Sequence, residues 1–166
     1  RKAVDRSREQ VSALLGCEPD EVVFTSGGTE ANNLAIRGVV EASEGRRHVV
    51  TSTVEHPATT QPCGLLERRG HEVTRLPVDA HGAVDASQAS ALLRPGTTLL
   101  TVLLAQNEVG TLMPVAGLAR LARERGSLVH TDAAQAVGKI RVSVRDLGVD
   151  LLSVAGHKLY GPKGVG

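Results

Sequence analysis

A lysine in a glycine-flanked loop is the best candidate nucleophile in this 166-residue sequence. Lys158 follows the apolar segment 150–154 and is preceded directly by Gly156 and His157. A primary amine that a loop presents to a cleft can add to a carbonyl group, so this position suits covalent catalysis. The alternative is an ordinary lysine that faces solvent, as most lysines do.

Asp132 is the candidate acidic group of the same site. It follows the apolar run 128–131 in the segment HTDAAQ, which ends at Gln135. A carboxylate that is buried at a strand end requires a cationic partner, and a protonated ring nitrogen would supply one. The alternative is that Asp132 caps a helix that begins after the strand.

A glycine-containing turn offers a candidate phosphate site. The segment SGGT, which includes Gly28 and Thr29, lies between a β-branched run and a helical pattern. Backbone N–H groups at such a turn and the positive end of the helix dipole both favour an anion. The turn matches neither GxGxxG nor GxxxxGK[ST], which argues against a Rossmann dinucleotide site or a P-loop. The alternative is a plain tight turn with Thr29 as the helix cap.

Two further polar segments follow predicted strands. His56, in the segment EHP, could stack on or hydrogen-bond to a ring, or transfer a proton near neutral pH. Asn107, in the segment NEVG, could donate its amide hydrogens to a phenolate or carboxylate oxygen. The alternatives are a loop histidine that orients the backbone, and an Asx turn with Gly110 at a positive φ angle.

Alternating strands and helices are predicted to position these segments. The strand candidates are 22–25, 48–52, 72–78, 97–104, 128–131 and 150–154. The helix candidates are a pattern through Leu34, Ile36, Val39 and Val40 that stops before Gly45, a loop-then-helix segment 57–69 with Pro62 near the first turn, a helix 85–93 capped by Asp85, and a helix 115–125. Nearly continuous apolar strands such as 97–104 indicate a mainly parallel sheet with helices on both faces. The sequence therefore predicts one three-layer α/β domain whose strand ends share a ligand-binding edge.

Composition excludes several classes of function. Lys and Arg number 19 against 18 Asp and Glu, so a net charge of +1 indicates neither a nucleic-acid nor a membrane partner. Phe24 and Tyr160 are the only aromatic residues, too few for base stacking. No apolar run is long enough to span a membrane, and the first residues are too charged for a secretory signal. Cys17 and Cys63 form no CxxC pattern, so we expect no metal site and a cytoplasmic location.

The polar segments together match the needs of one cofactor. Pyridoxal phosphate presents a phosphate, an aldehyde, a phenolic oxygen and a pyridine nitrogen. The sequence supplies, in order, a phosphate turn, a histidine for the ring, an amide for the oxygen, a carboxylate for the nitrogen and a lysine for the aldehyde. We therefore predict a pyridoxal phosphate site.

Five segments resemble one family: FTSGGTEANNLAI, VEHPA, NEVGTLMPV, HTDAAQAVGK and GHKLYGPKGVG are similar to sequences of cysteine desulfurases and selenocysteine lyases in the class V aminotransferase superfamily. The resemblance extends from about Glu21 to Gly166. It implies fold type I, with residues 1–166 forming part of the large cofactor-binding domain. The N-terminal arm, the end of the large domain and the small C-terminal domain are expected to lie outside this sequence.

The resemblance also implies roles for individual residues. Lys158 would hold the cofactor covalently and move the α-proton of the substrate, and His56 would stack on the cofactor ring and assist proton transfer. Asp132 would pair with the ring nitrogen. The remaining implied contacts are Asn107 and Gln135 at the phenolic oxygen, and Gly28, Thr29, Ser153 and His157 at the phosphate.

One position departs from the family pattern. Many desulfurases have serine directly before Gly-His-Lys as a phosphate ligand, and this sequence has Ala155 there. Ser153 lies two residues earlier on the same face of the predicted strand, so it would be a weaker ligand. A residue without a hydroxyl at this position is closer to the selenocysteine lyase pattern.

The implied reaction removes sulfur or selenium from L-cysteine or L-selenocysteine and leaves L-alanine. The resemblance implies a homodimer, a possible acceptor protein for the sulfur or selenium, and a catalytic cysteine beyond residue 166, which neither Cys17 nor Cys63 matches. The alternatives are another class V aminotransferase and an inactive fragment. A nucleotide-binding oxidoreductase is a further rival, but its glycine-rich fingerprint is absent.

Overall fold

The computed structural model describes residues 1–43, 45 and 48–166, which form a sheet with helices on both sides. The strands are β1 (His48–Ser52), β2 (Glu72–Leu76), β3 (Thr97–Leu103), β4 (Leu128–Asp132) and β5 (Leu151–Ser153). The helices are α1 (Lys2–Leu15), α2 (Gly28–Ala42), α3 (Pro57–Arg68), α4 (Ala86–Leu92), α5 (Val115–Glu124) and α6 (Val144–Leu147). Short 3₁₀ turns cover Pro19–Glu21 and Gly156–Leu159.

The sheet of the described residues has the order β2-β1-β3-β4-β5, and every neighbouring pair is parallel. The chain therefore reverses its direction of travel across the sheet between β1 and β3. Loops that leave neighbouring strand ends diverge at such a reversal and open a crevice at the carboxyl edge. The predicted parallel α/β fold is confirmed, and the crevice is where the site residues belong.

Helices cover both faces of the sheet because side chains alternate along the strands. Val49 packs in one core with Ile36 and Val40 of α2 and with Cys63 and Leu66 of α3. The next residue, Val50, packs in the other core, which contains Ala89 of α4 and Val115, Leu118 and Ala119 of α5. Leu99 and Leu100 of β3 alternate in the same way. This period of two gives the predicted three layers.

Segment 22–25, predicted as a strand, is not one. The N–H of Val22 donates to the carbonyl of Pro19 at 3.3 Å within the preceding turn. Thr25 pairs with Gly166: its N–H donates to the carbonyl of Gly166 at 2.8 Å, and its carbonyl accepts from the Gly166 N–H at 3.0 Å. β-branched residues stabilise a strand only when a partner strand and a packing surface are present. Val23 is largely exposed, so this segment has no such surface here.

Two details of the predicted helices were wrong. Helix α3 begins at Pro57, so Pro62 lies inside the helix, where it cannot donate the usual hydrogen bond to the carbonyl of Ala58. In α2, Leu34 is 54% exposed although Ile36 is fully buried. Successive residues of an α-helix are rotated by about 100°, so Leu34, two residues before Ile36, lies on the opposite side of the helix.

Other predicted elements agree with the structure within one or two residues. Strand β2 ends at Leu76 rather than at Val78 because Pro77 has no N–H for the ladder. Asp85 caps α4 as predicted, and its carboxylate accepts from the N–H of Ser87 at 2.8 Å. Helices α1 and α6 were not predicted. In the described part of the chain, no helix combines the length and apolar character needed to cross a bilayer.

Candidate functional site

A small pocket lies at the carboxyl edge of the sheet, where the loops after β1, β3, β4 and β5 meet. Its lining residues are His56, Leu103, Ala105, Asn107, Asp132, Ala134, Gln135 and Lys158. The structure thus brings together the predicted histidine, amide, carboxylate, glutamine and lysine. Each comes from a different strand-to-helix connection except Asp132 and Gln135, which share one.

Asp132 is the last residue of β4 and is only 7% exposed. Its Oδ2 accepts a hydrogen bond from Nδ2 of Asn32 at 2.8 Å, and its Oδ1 accepts from the N–H of Ala134 at 3.0 Å. Both donors are neutral, and no lysine or arginine of the described residues forms an ion pair with it. A buried carboxylate held this way favours a cationic ligand in the pocket.

Asn32 is a site residue that sequence reasoning missed. It lies in α2 on the same buried face as Ile36 and Val40, and it is 1% exposed. Its Oδ1 has no hydrogen-bond partner, so its amide serves Asp132 alone. A polar residue in register with two apolar positions of a helix was the available signal, because a buried amide needs a specific partner.

His56 occupies the N-cap position of α3. Its Nδ1 accepts a hydrogen bond from the N–H of Ala58 at 3.1 Å. An accepting Nδ1 in a neutral ring places the hydrogen on Nε2. The sequence predicted two alternative roles for His56, to orient the backbone or to face a ligand. The His56 side chain both orients the backbone and lines the pocket.

Lys158 lies in the 3₁₀ turn that follows β5, and it is half-buried. Its N–H donates to the carbonyl of Ala155 at 2.9 Å, which fixes the turn. Gly156 begins this turn, and a Cβ there would lie 2.8 Å from the carbonyl oxygen of Val165. The close return of the chain therefore requires glycine at 156 and directs Lys158 to the pocket.

The first turn of α2 forms the candidate anion site. The first N–H groups of a helix have no partner within the helix, so those of Gly28 and Thr29 are available to a ligand. The N–H of Ser26 is already used, because it donates to the Glu30 carboxylate at 2.7 Å. Hydrogen bonds from Ser26 hold the pKa of Glu30 below its ordinary value. A Cβ on Gly28 would lie 3.1 Å from that of Ala155, so this turn abuts the Lys158 loop.

Four of the predicted site residues do not line the pocket: Gly28, Thr29, Ser153 and His157. The buried Ser153 hydroxyl lies 2.9 Å from Nε2 of His130, and Nδ1 of His130 lies 2.8 Å from Oγ1 of Thr101. The structure therefore ties Ser153 to the sheet interior rather than to the anion site. Burial lowers the pKa of His130 to about 4, so this imidazole is neutral. His157 is exposed beside Lys158.

The loop after β3 adopts a turn different from the one expected. Gly110 has a φ of 78°, as predicted. The turn is closed by the Gln106 side chain, whose Oε1 accepts from the N–H groups of Glu108 and Val109, and not by an Asx turn at Asn107. The Asn107 side chain is consequently left to the pocket. Across the pocket, Oε1 of Gln135 accepts from Nζ of Lys139 at 2.8 Å.

Neither cysteine belongs to this site. Cys63 is fully buried in the core between α2 and α3, and burial raises its pKa to about 12. Cys17 is half-buried against the other core, and burial raises its pKa as well. Both are thiols rather than thiolates at neutral pH, so neither is an activated nucleophile. The described residues contain no cluster of three or more His, Cys, Asp or Glu that could hold a metal ion.

Comparison with known proteins identifies relatives that are similar to this sequence over all or nearly all of its length. The family described as aminotransferase class-V matches residues 1–166. The chain is 49% identical to the cysteine desulfurase IscS of Dictyoglomus turgidum over 167 residues, which cover all of this chain and 42% of that protein. It is 46% identical to human cysteine desulfurase over 165 residues, which cover 99% of this chain and 36% of that protein. The chain therefore spans less than half the length of these relatives.

Solved structures show the same fold. A NifS-like protein superposes with a TM-score of 0.94 at 37% identity, over 98% of this chain and 45% of that one. A structure described as SspA in complex with cysteine gives 0.94 at 41% identity, over 99% and 48%. DndA of Streptomyces lividans gives 0.91 at 40% identity, over 99% and 46%. The predicted fold type is therefore confirmed.

Proposed function

The chain belongs to the class-V aminotransferase family, and on that premise we propose that it is the cofactor-binding part of a cysteine desulfurase. The family and the desulfurase relatives are pyridoxal-phosphate dependent, as the sequence predicted. The observation that carries the proposal is one pocket lined by Lys158, Asp132 and His56. These residues come from three separate strand ends.

The residues present fit pyridoxal phosphate. Asp132 is a buried carboxylate with neutral donors only, which suits a protonated ring nitrogen. The lysine amine suits an aldehyde, and the first turn of α2 suits a phosphate. We propose that Lys158, Asp132, His56, Asn107 and Gln135 hold the cofactor together with Gly28 and Thr29, and that His157 adds a phosphate contact. Ser153 would support β5 rather than bind the phosphate, because its hydroxyl is paired with His130.

Each side chain has a distinct task in the proposed reaction. When bound, the cofactor supplies an aldehyde for the substrate amine and a ring that accepts electrons from the α-carbon. Lys158 holds the cofactor and, as a free amine, takes the proton from the α-carbon of a bound amino acid. Asp132 keeps the ring nitrogen protonated. The Nε2–H of His56 faces outward from its N-cap bond and can donate to a substrate or ring oxygen.

L-Cysteine is the substrate that the relatives favour. Two curated relatives are named cysteine desulfurases, and one similar structure contains cysteine. We propose that the products are L-alanine and a sulfur atom transferred to a thiol other than Cys63 or Cys17, because neither lines the pocket. L-Selenocysteine is the second candidate substrate, since Ala155 stands where many desulfurases have serine.

Three wider expectations also belong to this proposal. Residues 1–166 would form part of a large domain, with the arm and the small domain contributed by chain outside this sequence. The active enzyme would be a homodimer in the cytoplasm. A sulfur or selenium acceptor protein would be its partner, and neither nucleic acid nor membrane would be required.

Visible absorption tests the proposal directly. The purified protein mixed with pyridoxal phosphate should show the band of a lysine-bound cofactor, and Lys158→Ala should not. Lys2→Ala, which alters an exposed lysine of α1 that does not line the pocket, is the matched control and should keep the band. A longer protein that also contains the expected small domain and catalytic cysteine should then release alanine from L-cysteine. A folded wild-type protein without the band would refute the cofactor assignment, and a band without alanine release by the longer protein would refute the substrate.

A further inference from the structure

Glu55 is a buried carboxyl group at the reversal point of the sheet. It lies in the turn between β1 and α3, directly before His56. Its Oε1 accepts a hydrogen bond from the hydroxyl of Ser52 at 2.6 Å and another from the N–H of Leu103 at 3.0 Å. One carboxyl oxygen therefore connects the end of β1 to the end of β3.

This side chain replaces a missing main-chain bond. Val50 pairs with Leu100 in the β1–β3 ladder, so continued register would place Thr53 opposite Leu103. Pairing of β1 with β3 ends at Val50 and Leu100, and the N–H of Thr53 donates to the carbonyl of Leu76 at 3.1 Å in the β1–β2 ladder. The N–H of Leu103 would then be buried without an acceptor. Glu55 supplies that acceptor.

The Glu55–Leu103 hydrogen bond lies between His56 and Asp132 of the candidate site. On one side, the residue after Glu55 is His56, which lines the pocket. On the other side, Leu103 also lines the pocket and is the register partner of Asp132 in the β3–β4 ladder. The Glu55–Leu103 hydrogen bond therefore ties the turn that carries His56 to the strand that is paired with Asp132.

The second oxygen of Glu55 indicates its charge state. Oε2 is buried and has no hydrogen-bond partner, and no described lysine or arginine forms an ion pair with this residue. The titratable groups that face it are Asp132 on β4 and Cys63 on α3. Burial, with a smaller contribution from the Asp132 charge, raises the pKa of Glu55 to about 8. A charged Glu55 would be unscreened beside Asp132, whereas the neutral acid is compatible with the same two accepted hydrogen bonds.

We propose that Glu55 is a positioning residue that, as the neutral acid, fastens the His56 turn to β3 opposite Asp132. Its neutrality leaves Asp132 as the one acidic side chain in the pocket lining that the structure describes. The link to cofactor binding rests on the proposed function, whereas the contact and its protonation state concern the protein alone.

Cofactor affinity tests the positioning role. Glu55→Ala should weaken pyridoxal phosphate binding by about tenfold or more, because the Leu103 N–H loses its acceptor and the His56 turn is released. Glu55→Gln keeps an accepting oxygen of the same reach and should stay within about threefold of wild type. Glu55→Asp keeps the acid but shortens the chain, so it should resemble Glu55→Ala. Glu67→Gln is the matched control and should have no effect, because it alters an exposed carboxylate of α3 that is paired with Arg75 of β2.

A double-mutant cycle separates positioning from a general structural role. If Glu55 acts through His56, the double mutant Glu55→Gln/His56→Ala should have the same cofactor dissociation constant as His56→Ala. Adding Glu55→Asp to His56→Ala should raise that constant by less than about threefold. Full additivity of Glu55→Asp and His56→Ala would overturn the positioning role. Equal losses in Glu55→Gln and Glu55→Asp would overturn it as well.

The protonation state is tested without any cofactor. Because folding raises the pKa of Glu55, this residue contributes most to the free energy of unfolding at low pH. Its contribution is lost as pH rises from about 4.5 to about 8. The cofactor-free wild-type protein should show this decline in urea unfolding from about pH 6.5 to about 8, above the range in which His130 acts in the opposite sense, and Glu55→Gln should lose it. Identical pH profiles would overturn the neutral acid. If wild type fails to bind pyridoxal phosphate, the proposed function fails, and this profile still decides the state of Glu55.

Discussion

Gly28 and Ala155 approach so closely that a Cβ at position 28 would lie 3.1 Å from the Cβ of Ala155 and 3.6 Å from its Cα. Gly28 begins the helix whose first turn is the candidate phosphate site, and Ala155 precedes the Gly156–Leu159 turn that carries Lys158. The contact therefore sets the distance between the proposed phosphate and aldehyde ends of the cofactor.

We expect Gly28→Ala to weaken pyridoxal phosphate binding by about fivefold, corresponding to about 1 kcal/mol of overpacking at a tight contact. The dissociation constant can be measured by absorption titration. Gly38→Ala, in the same helix with open space around the new Cβ, is the matched control and should not change affinity. Adding Ala155→Gly to Gly28→Ala should restore binding. Failure of that rescue would show that the Gly28–Ala155 contact does not determine affinity.

Asp132→Asn should weaken pyridoxal phosphate binding by about 30-fold or more, or about 2 kcal/mol, because it removes the charge opposite the ring nitrogen. The cofactor-free protein should lose little stability. The Asn32 amide can rotate so that its unpaired Oδ1 accepts from the new amide. Absorption titration and urea unfolding measure the two quantities. A large loss of stability with unchanged affinity would make Asp132 a structural residue.

His130→Leu should reduce the free energy of unfolding by about 2–3 kcal/mol, because the buried hydroxyls of Thr101 and Ser153 both lose their partner. Urea unfolding at neutral pH measures this loss. The matched control is Thr74→Val, which removes one partner of the less buried His48 and should cost less, because the other ring nitrogen of His48 keeps Thr97. An unchanged stability would mean that the two hydroxyls find other partners.

The pH dependence of stability should reveal two opposing groups. His130 has its pKa lowered to about 4 by burial, so the unfolded chain binds its proton first and stability falls as pH drops from about 6.5 to about 4. Glu55 acts in the opposite sense from about pH 4.5 to about 8. Each group alone contributes roughly 1.4 kcal/mol per pH unit within its range. The free energy of unfolding of the wild-type protein should therefore change least between about pH 4.5 and 6.5. In Glu55→Gln it should fall as pH drops through that range, because the contribution of His130 is then no longer offset.

Gly156→Ala should destabilise the protein by about 1–3 kcal/mol, because the new Cβ would meet the Val165 carbonyl oxygen at 2.8 Å. The same change should reduce the visible band of the bound cofactor, since the Lys158 turn is displaced. Gly117→Ala in α5 has open space and serves as the control; it should be neutral or slightly stabilising. Wild-type stability and a wild-type band in Gly156→Ala would contradict the requirement for glycine.

The sequence by itself predicted the five strands of the described sheet, with an extra one at 22–25 that does not form, together with the three-layer parallel fold and the loops that carry Lys158, Asp132 and His56. Local rules suffice for these features. Apolar runs define buried strands, glycine and proline mark their ends, and parallel strands deliver their loops to one edge.

Tertiary structure decided which atoms meet. Asn32 reaches Asp132 across 100 residues of sequence, and Glu55 reaches the Leu103 N–H across 48. The Ser153 hydroxyl pairs with Nε2 of His130, which its place two residues before Ala155 could not indicate. Such contacts depend on the rotation of each helix against the sheet and on where each strand leaves its ladder, and packing of the whole domain sets both.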